Sequence, residues 1–392
     1  MMRRDVRMLL IIIGLLIISA GIFWVAHEID SNPFGHTPGS TNSNVQIEYS
    51  SFAEEPLLIL DPAKEYIDGN GDVTIEALKE KHWYQATRMD ISLPVTIAYE
   101  VKGLSMDCDI ELATLEVSED AEYTAPRRFT MKNARSSTDV YLLKTNTTYH
   151  FRITIALTNN TQTKVEGTFK TANTPRILNI DGVPNMRDIG GWVTTDGSTV
   201  RQGLLYRGCE PDGASNPKYT ITQSGIDHML HVLKVRTQLD LRNESTVVDK
   251  PSPLGDTVTY TRYNAPAYAD VFDEDNAKTI SSIFADLANA ENYPIYLHDT
   301  EGVDQTGTIC YLLEAVLGVK DDDLMRDYRL SALCFGDLSE SDIKGFRELL
   351  SEQPGETTQA KAEAFLQSVG VTAKQIDAIR SIFLEPAPET ES

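Results

Sequence analysis

Hydrophobic and polar positions follow two different patterns along this chain. From about residue 88 to residue 172, apolar and polar residues alternate in short runs, of which the clearest are Leu93–Val101, Ile110–Val117 and Tyr149–Leu157. A period of two is typical of strands that bury one face. Several such runs between turn residues predict an antiparallel β-sandwich.

After Pro175 the pattern changes. Short apolar runs alternate with longer stretches at helical spacing, and these predict helices at Gln223–Leu233, Ala277–Ala290, Thr306–Leu317, Ser339–Glu352, Thr358–Gln367 and Ala373–Leu384. Strands that alternate with helices predict an α/β domain with a central sheet and flanking helices.

One junction between a strand and a helix in this half is a candidate anion site. Residues Pro294–His298 suit a buried strand, and apolar residues at helical spacing continue from Thr306 until Gly318. A tight turn before a helix N-terminus directs several backbone N–H groups at one point, where the helix dipole also favours an anion. The turn His298–Gly307 is therefore predicted to be built like a phosphate-binding loop.

The same turn resembles the signature loop of the Cys-dependent tyrosine phosphatases, which reads His-Cys-x-x-Gly-x-x-Arg-Thr-Gly. Four positions match it: His298, Gly302, Thr306 and Gly307. Asp304 stands where many bacterial members have Asp. However, Asp299 occupies the position of the nucleophilic Cys, and Gln305 occupies the position of the phosphate-binding Arg.

The resemblance extends over roughly residues 176–385. Asn185–Gly191 is similar to the Asn-x-Arg-Asp-x-Gly-Gly motif of a bacterial branch of tyrosine and lipid phosphatases, and Gly203–Gly208 and Thr237–Glu244 also resemble that branch. The resemblance implies an α/β phosphatase-like domain whose cleft is lined by Arg187, Asp188, Arg207 and Arg242. The alternative is that these arginines are used in internal ion pairs with Asp188, Asp240 and Glu244.

The substitutions in the loop remove the chemistry that the resemblance would imply. A Cys-dependent phosphatase needs a thiolate nucleophile and a guanidinium that holds the phosphoryl oxygens. Here Asp299, Glu301 and Asp304 bring negative charge to the turn, and two unit charges ~4 Å apart at an effective dielectric of ~20 repel by ~4 kcal/mol. A helix dipole contributes only ~0.3–2 kcal/mol. We therefore predict that the loop does not hydrolyse ordinary phosphoesters, although Asp304 could act as a residual acid.

Three hypotheses for the loop remain. It could be a solvated turn kept for fold stability, or the Asp299 carboxylate could accept the backbone hydrogen bonds otherwise made to phosphate. The third is that the acidic residues bind a cation or a basic peptide. The candidate binding residues are the rest of the loop: His298, Thr300, Glu301, Gly302, Val303, Thr306 and Gly307. Neither a metal nor a cofactor is predicted.

The N-terminus predicts a membrane anchor. Residues 8–26 carry no charge, and a helix of 19 residues crosses most of a ~30 Å hydrocarbon core. Arg3, Arg4 and Arg7 precede this run, so the positive-inside rule places the rest of the chain outside the cytoplasm. A cleaved signal peptide is the alternative. The net charge of −23 disfavours nucleic acid as a partner.

The predicted organisation is therefore multidomain, with the β-sandwich before the α/β domain. Leu143–Tyr149 and Gly167–Thr171 resemble the end of a fibronectin type III module, in which Tyr149 would be the corner tyrosine. The segments are a signal anchor at 1–30, a flexible linker at 31–45, a fibronectin-like or Ig-like sandwich at 46–174, a phosphatase-like α/β domain at 175–387 and a disordered tail at 388–392.

Together these observations predict a membrane-anchored, extracytoplasmic protein with a phosphatase-like domain that is catalytically inactive. Its expected partner, besides the membrane, is a protein or peptide at the cell envelope. The alternative is an active protein tyrosine phosphatase, or another phosphoester hydrolase of the same family.

Overall fold

The computed structural model describes residues 34–35, 45–50, 52, 55–83, 88–131, 133–243 and 251–387. The predicted anchor at 1–30, most of the linker at 31–45 and the tail at 388–392 lie outside these residues. Among the described residues, none of the helices combines the length and the hydrophobicity that a membrane-spanning segment requires.

The chain divides into two compact units. The first comprises the residues up to Glu55 together with Val95–Val140 and Thr148–Lys170, and the second comprises Pro56–Pro94, Tyr141–Thr147 and the residues from Thr171 onwards.

The first unit contains two antiparallel four-stranded sheets. Its strands are β1 Phe34–Gly35, β2 Gln46–Ser50, β3 Val95–Lys102, β4 Ile110–Ser118, β5 Arg127–Met131, β6 Arg135–Val140, β7 Thr148–Leu157 and β8 Gln162–Lys170. The sheet orders are β1-β2-β3-β6 and β5-β4-β7-β8. Burial alternates along β7 as the sequence pattern predicts. Tyr49 of β2 meets Phe151 of β7 edge to face at 5.1 Å, so aromatic side chains join the two sheets.

The second unit is built around a five-stranded sheet of order β13-β12-β14-β11-β9. The strands of this unit are β9 Arg187–Asp188, β10 Thr199–Val200, β11 Leu205–Gly208, β12 Thr237–Asp240, β13 Thr259–Arg262, β14 Ile295–His298 and β15 Leu384–Glu385. Four strands are parallel, and β9 is antiparallel to β11. The small sheet β10-β15 ties the end of the chain to this unit.

The second unit also contains helices. They are α1 Asp61–Asp68, α2 Ile75–Lys81, α3 Gln223–Asp227, α4 Ala277–Leu287, α5 Gln305–Leu317, α6 Asp321–Arg329, α7 Ala332–Phe335, α8 Ser341–Ser351, α9 Thr358–Ser368 and α10 Ala373–Phe383. A π-helical turn, His228–Val232, continues α3. Helix α5 is buried over almost its whole length, because the sheet and the helices α9 and α10 all pack on it. The α/β domain predicted from the sequence is confirmed.

The segment Pro56–Pro94 differs from its predicted place in the β-sandwich at 46–174. Ile59 and Leu78 share a hydrophobic cluster with Ile177 and Leu333 of the α/β unit. The backbone N–H of Ile75, at the start of α2, also donates to the Asp337 carboxylate at 2.8 Å. Burial of the apolar faces of α1 and α2 thus places this segment with the α/β unit, which a boundary drawn on alternation alone could not reveal.

Candidate functional site

The turn between β14 and α5 folds around the carboxylate of Asp299, which is only 3% exposed. One carboxylate oxygen, Oδ1, accepts the backbone N–H of Glu301 at 3.0 Å and that of Gly302. The other oxygen, Oδ2, accepts the N–H of Thr306 at 3.0 Å. The loop therefore uses its own side chain as the anion at its centre, which is the arrangement of the second hypothesis above.

The carbonyl groups of the same loop point outward to fixed donors. Asn185 donates its side-chain amide to the carbonyl of Glu301 at 2.8 Å, and Arg207 donates Nη2 to the carbonyl of Gly302 at 2.9 Å. Gly302 has φ 70°, and a Cβ there would collide with the carbonyl oxygen of Gly208. Because the outer partners fix the peptide planes, the amides of the turn face inward.

Two buried arginines share one carboxylate behind the loop. Arg187 donates Nε to Asp327 Oδ1 at 3.1 Å, and Arg207 donates Nη1 to Asp327 Oδ2 at 2.7 Å. Arg187 also donates to the Asn185 side-chain oxygen at 2.7 Å, which orients the amide that holds the loop. All of these side chains are nearly inaccessible to solvent. Arg187 and Arg207 are therefore used in internal pairs and do not line an open cleft.

The charge of this network depends on Glu314 of α5, which is buried beside it. Burial, and then the charge of Asp327, raises the pKa of Glu314 well above its usual value and so favours the neutral form of its carboxyl. Burial opposes ionisation of Asp327 as well, but the two arginines outweigh it and lower its pKa. Two guanidinium groups thus face one ionised carboxylate, and the nearby Asp299 offsets the remaining positive charge.

The other predicted cleft residues are also structural. Asp188 pairs with Arg176 at 2.7 Å, not with Arg187, and accepts the N–H groups of Gly190 and Gly203. Arg242 is 2% exposed and pairs with three carboxylates, those of Asp240, Glu210 and Asp212. Of these partners, only Asp240 was predicted, because Glu210 and Asp212 lie about thirty residues away in the chain. The other predicted partner, Glu244, lies outside the described residues.

His298 ends strand β14 in the core. Burial lowers its pKa, so the imidazole is neutral at pH 7. Its Nε2 lies 2.8 Å from the side-chain nitrogen of Gln238, and its Nδ1 lies 3.2 Å from the carbonyl oxygen of Asp299. The amide must be the donor to Nε2, so Nδ1–H donates to the loop backbone. His298 orients the turn and is not accessible to a ligand.

Some of the remaining loop residues make structural contacts, and the others lie exposed at the rim of the loop. The Thr300 carbonyl accepts the N–H of Glu210 at 3.1 Å, Val303 is buried in the hydrophobic core, and Gly307 packs against the ring of Tyr328. Glu301 and Asp304 are exposed. Burial of part of each carboxyl, together with the charge of Asp299, raises the pKa of both.

Tyr268 and Cys209 also contact the loop. No motif or spacing in the sequence predicts these two contacts. The Tyr268 hydroxyl donates to Asp304 at 2.7 Å and lies 2.8 Å from the hydroxyl of Tyr328. The Cys209 thiol lies 3.3 Å from the carbonyl of Glu301. Burial raises the pKa of Cys209, so it is a protonated donor to the outside of the loop and not a displaced nucleophile.

Gln305 begins α5 and lies at the edge of a cleft of about 330 Å³. The other polar residues of its wall are Asn243, Asn264, Asp270, Asp273 and Asn276. Among all the described residues, no group of three His, Cys, Asp or Glu side chains has an arrangement that could hold a metal ion.

Comparison with known proteins agrees with this architecture. Residues 178–385, more than half of the chain, match the tyrosine phosphatase family, and the chain belongs to that family. A protein of Cupriavidus necator described as "Putative tyrosine-protein phosphatase" is 28% identical over 170 residues, which are 38% of this chain and 61% of that protein. The chain thus spans about three fifths of the length of this relative.

Among solved structures, the core catalytic domain of the PP-IP phosphatase SIW14 from S. cerevisiae, in complex with citrate, is similar to part of the chain. It shares 14% sequence identity with a TM-score of 0.27, and the match covers 41% of this chain and 84% of that domain. A similarity at this level carries no argument about ligand or activity.

Proposed function

We propose that the α/β unit is a non-catalytic member of the tyrosine phosphatase family that acts by binding. The observation that carries this proposal is the position of Asp299, whose two oxygens already accept three inward backbone N–H groups of the loop. A phosphate in the loop would have to share these donors with a carboxylate of the same sign.

The rest of the site supports the same proposal. Gln305 has a neutral amide, whereas phosphate recognition depends on charge-assisted hydrogen bonds of ~1.5–3 kcal/mol each. Arg187 and Arg207 are bound to Asp327 and to the loop backbone, so they cannot turn toward a ligand without leaving Asp327 unpaired. Neither a nucleophile nor a cation is therefore available where phosphoryl transfer needs them.

The rival function is hydrolysis of a phosphoester, which membership of the family favours. The test is p-nitrophenyl phosphate turnover by the natural chain and by the double variant Asp299→Cys/Gln305→Arg. We expect no turnover by the natural chain and measurable turnover by the double variant. A matched control, Asp299→Ser/Gln305→Arg, restores the cation without a thiolate and should bind vanadate without turning over substrate. Turnover or tight vanadate binding by the natural chain would overturn the proposal.

The proposal also includes the location of this domain, which we place outside the cytoplasm on a membrane anchor. The uncharged run 8–26 and the arginines before it support a single-pass anchor with the bulk of the chain outside the cytoplasm. The two antiparallel sheets of the first unit support a fibronectin-like sandwich that acts as a spacer or a second contact surface. The expected partner is a protein or peptide at the cell envelope. Protease accessibility of intact cells tests this topology, and protection of the bulk of the chain would contradict it.

A further inference from the structure

Two cysteines of the second unit contact the same peptide group, the one that joins Pro184 to Asn185. The backbone N–H of Cys209, the residue after strand β11, donates to the Pro184 carbonyl at 3.2 Å. The backbone N–H of Asn185 donates to the thiol of Cys334, which belongs to helix α7. Residues from distant parts of the chain are thus brought to one short segment.

The partners of the two thiols are also bound to each other. Cys209 Sγ lies 3.3 Å from the carbonyl oxygen of Glu301, which also accepts the side-chain amide of Asn185 at 2.8 Å. The Cys334 thiol donates to the Asp90 carboxylate, which accepts the N–H of Asn185 at 3.0 Å. Asn185 therefore binds a partner of each thiol and joins Cys209 and Cys334 in one cluster.

The electrostatics of the cluster agree with these contacts. Burial raises the pKa of Cys209, and the charge of Cys334 is the next largest cause, ahead of Asp299 and Glu301. Burial, and then the charge of Asp90, raises the pKa of Cys334 to about 12. Each thiol is thus protonated at pH 7, and the charge of Cys334 acts directly on Cys209.

The two thiols differ in exposure. Cys209 is fully buried, whereas Cys334 is partly exposed to solvent. A reagent in solution therefore meets Cys334 first, and Cys209 lies behind it as a second thiol.

We propose that Cys209 and Cys334 are an oxidisable pair, which closes to an internal disulfide by exchange with a disulfide-bearing oxidant. The Cys334 thiolate attacks the oxidant, forms a mixed disulfide and releases one thiol. The Cys209 thiolate then attacks the Cys334 sulfur and releases the second thiol. The pair loses two electrons and two protons, and one disulfide of the oxidant is reduced to two thiols.

This modification goes beyond the proposed binding function. Protein disulfides form and persist outside the cytoplasm, which is the location proposed for this domain. A disulfide has no S–H group, so oxidation also removes the Cys209 donor from the Glu301 carbonyl. The redox state of the pair is thereby linked to the outer side of the loop.

The test is oxidation of the folded, full-length protein with oxidised glutathione. The reaction is run at a pH of about 9, because only the thiolate attacks a disulfide. After an acid quench, the free thiols are alkylated in denaturant and counted by mass spectrometry. We expect the count to fall from four to two, with one linked peptide that contains Cys209 and Cys334. The melting temperature should rise by about 5 °C or more, since the bridge closes a loop of about 125 residues.

Two matched variants, each with one thiol fewer, identify the pair. Cys334→Ser should keep all of its remaining thiols after oxidation, whereas Cys108→Ser, in the first unit, should still lose two. An unchanged thiol count in the natural chain, a bridge to another cysteine, or glutathione bound to Cys334 without a bridge would each overturn the proposal. None of these outcomes depends on phosphate turnover, so the proposed function is tested separately.

Discussion

The two sides of the loop between β14 and α5 differ in the groups that bind them. On the outer side, Asn185 and Arg207 bind the loop carbonyls, and the buried carboxylate of Asp327 fixes the arginine. On the inner side, Asp299 occupies the donors, and the cation position holds Gln305. The contacts of the outer side fix the shape that a phosphate-binding loop requires. The groups of the inner side decide whether the loop can bind phosphate.

The loop of this protein forms its turn around a carboxylate of its own chain. The outer network carries more positive than negative charge, and an anion at the centre of the loop balances it. The Asp299 carboxylate lies at that position within the chain. On the proposed function, this carboxylate takes the place of the external anion that the turn would otherwise bind.

Removal of Asp327 should break the outer side and have the largest effect. The variant Asp327→Ala leaves the guanidinium groups of Arg187 and Arg207 without their shared partner, and an uncompensated buried charge costs about 3–5 kcal/mol. Urea denaturation should show this loss of unfolding free energy. Asp322→Ala, at an exposed position of the same helix, should change stability by no more than about 0.5 kcal/mol. Similar stabilities of the two variants would show that the network does not support the fold.

Removal of Asp299 should break the inner side at a smaller cost. The variant Asp299→Ala leaves three N–H groups of the loop without their acceptor, and we expect a loss of about 2–3 kcal/mol, since water can replace part of the interaction. The emptied loop should then bind an external anion.

Sulfate or phosphate should therefore raise the melting temperature of Asp299→Ala in a saturable way, because a ligand that binds only the native state stabilises it. The natural chain and the rim variant Asp304→Ala should show only the general effect of salt. A saturable effect of the same size in the natural chain would mean that Asp299 does not occupy the site.

A contact from the Pro56–Pro94 segment also supports the outer side of the loop. Asp90 accepts the backbone N–H of Asn185 at 3.0 Å and forms two hydrogen bonds with Arg88. We expect Asp90→Ala to destabilise the α/β unit by about 1–2 kcal/mol, because a buried backbone N–H loses its partner. Asp61→Ala, at an exposed position of the same segment, is the control. Amide exchange that is unchanged around Asn185 would contradict the role of Asp90.

The smallest effect concerns Glu301 on the rim. Its folded pKa is raised by partial burial and by Asp299, so the ionised form destabilises the native state at pH 7. Glu301→Gln should therefore stabilise the protein by a few tenths of a kcal/mol at pH 7, after solvent screening. The gain should decrease as the pH falls through the raised pKa and disappear below the ordinary value of 4.5. A gain that increases toward acid pH would contradict this sign.

Much of the second unit could be predicted from the sequence, because the spacing of apolar residues and the motifs that define it are local in the chain. The helical spacing from Thr306 to Leu317 predicts α5 to within one residue at its start, and the turn before it follows from the motif. The presence of Asp299 and Gln305 in the loop is visible in the sequence and supports the proposed non-catalytic function. The two hydrophobic periods also separate strands from helices along most of the described chain.

Contacts between distant residues could not be predicted in this way. Arg187 reaches Asp327 across 140 positions, whereas Asp188, which lies next to the arginine in the chain, pairs with Arg176. The attachment of Pro56–Pro94 to the α/β unit likewise depends on which apolar faces meet.

The sequence by itself therefore determined most of the helices and strands and the presence of Asp299 and Gln305 in the loop, since each depends on spacing or on the identity of single residues. Only the tertiary structure decided that Asp299 turns its oxygens toward the loop amides and that the arginines pair behind it. The physical reason is that a buried charge must be satisfied by whichever partners the packing brings within hydrogen-bond distance, and that choice is made in space, not along the chain.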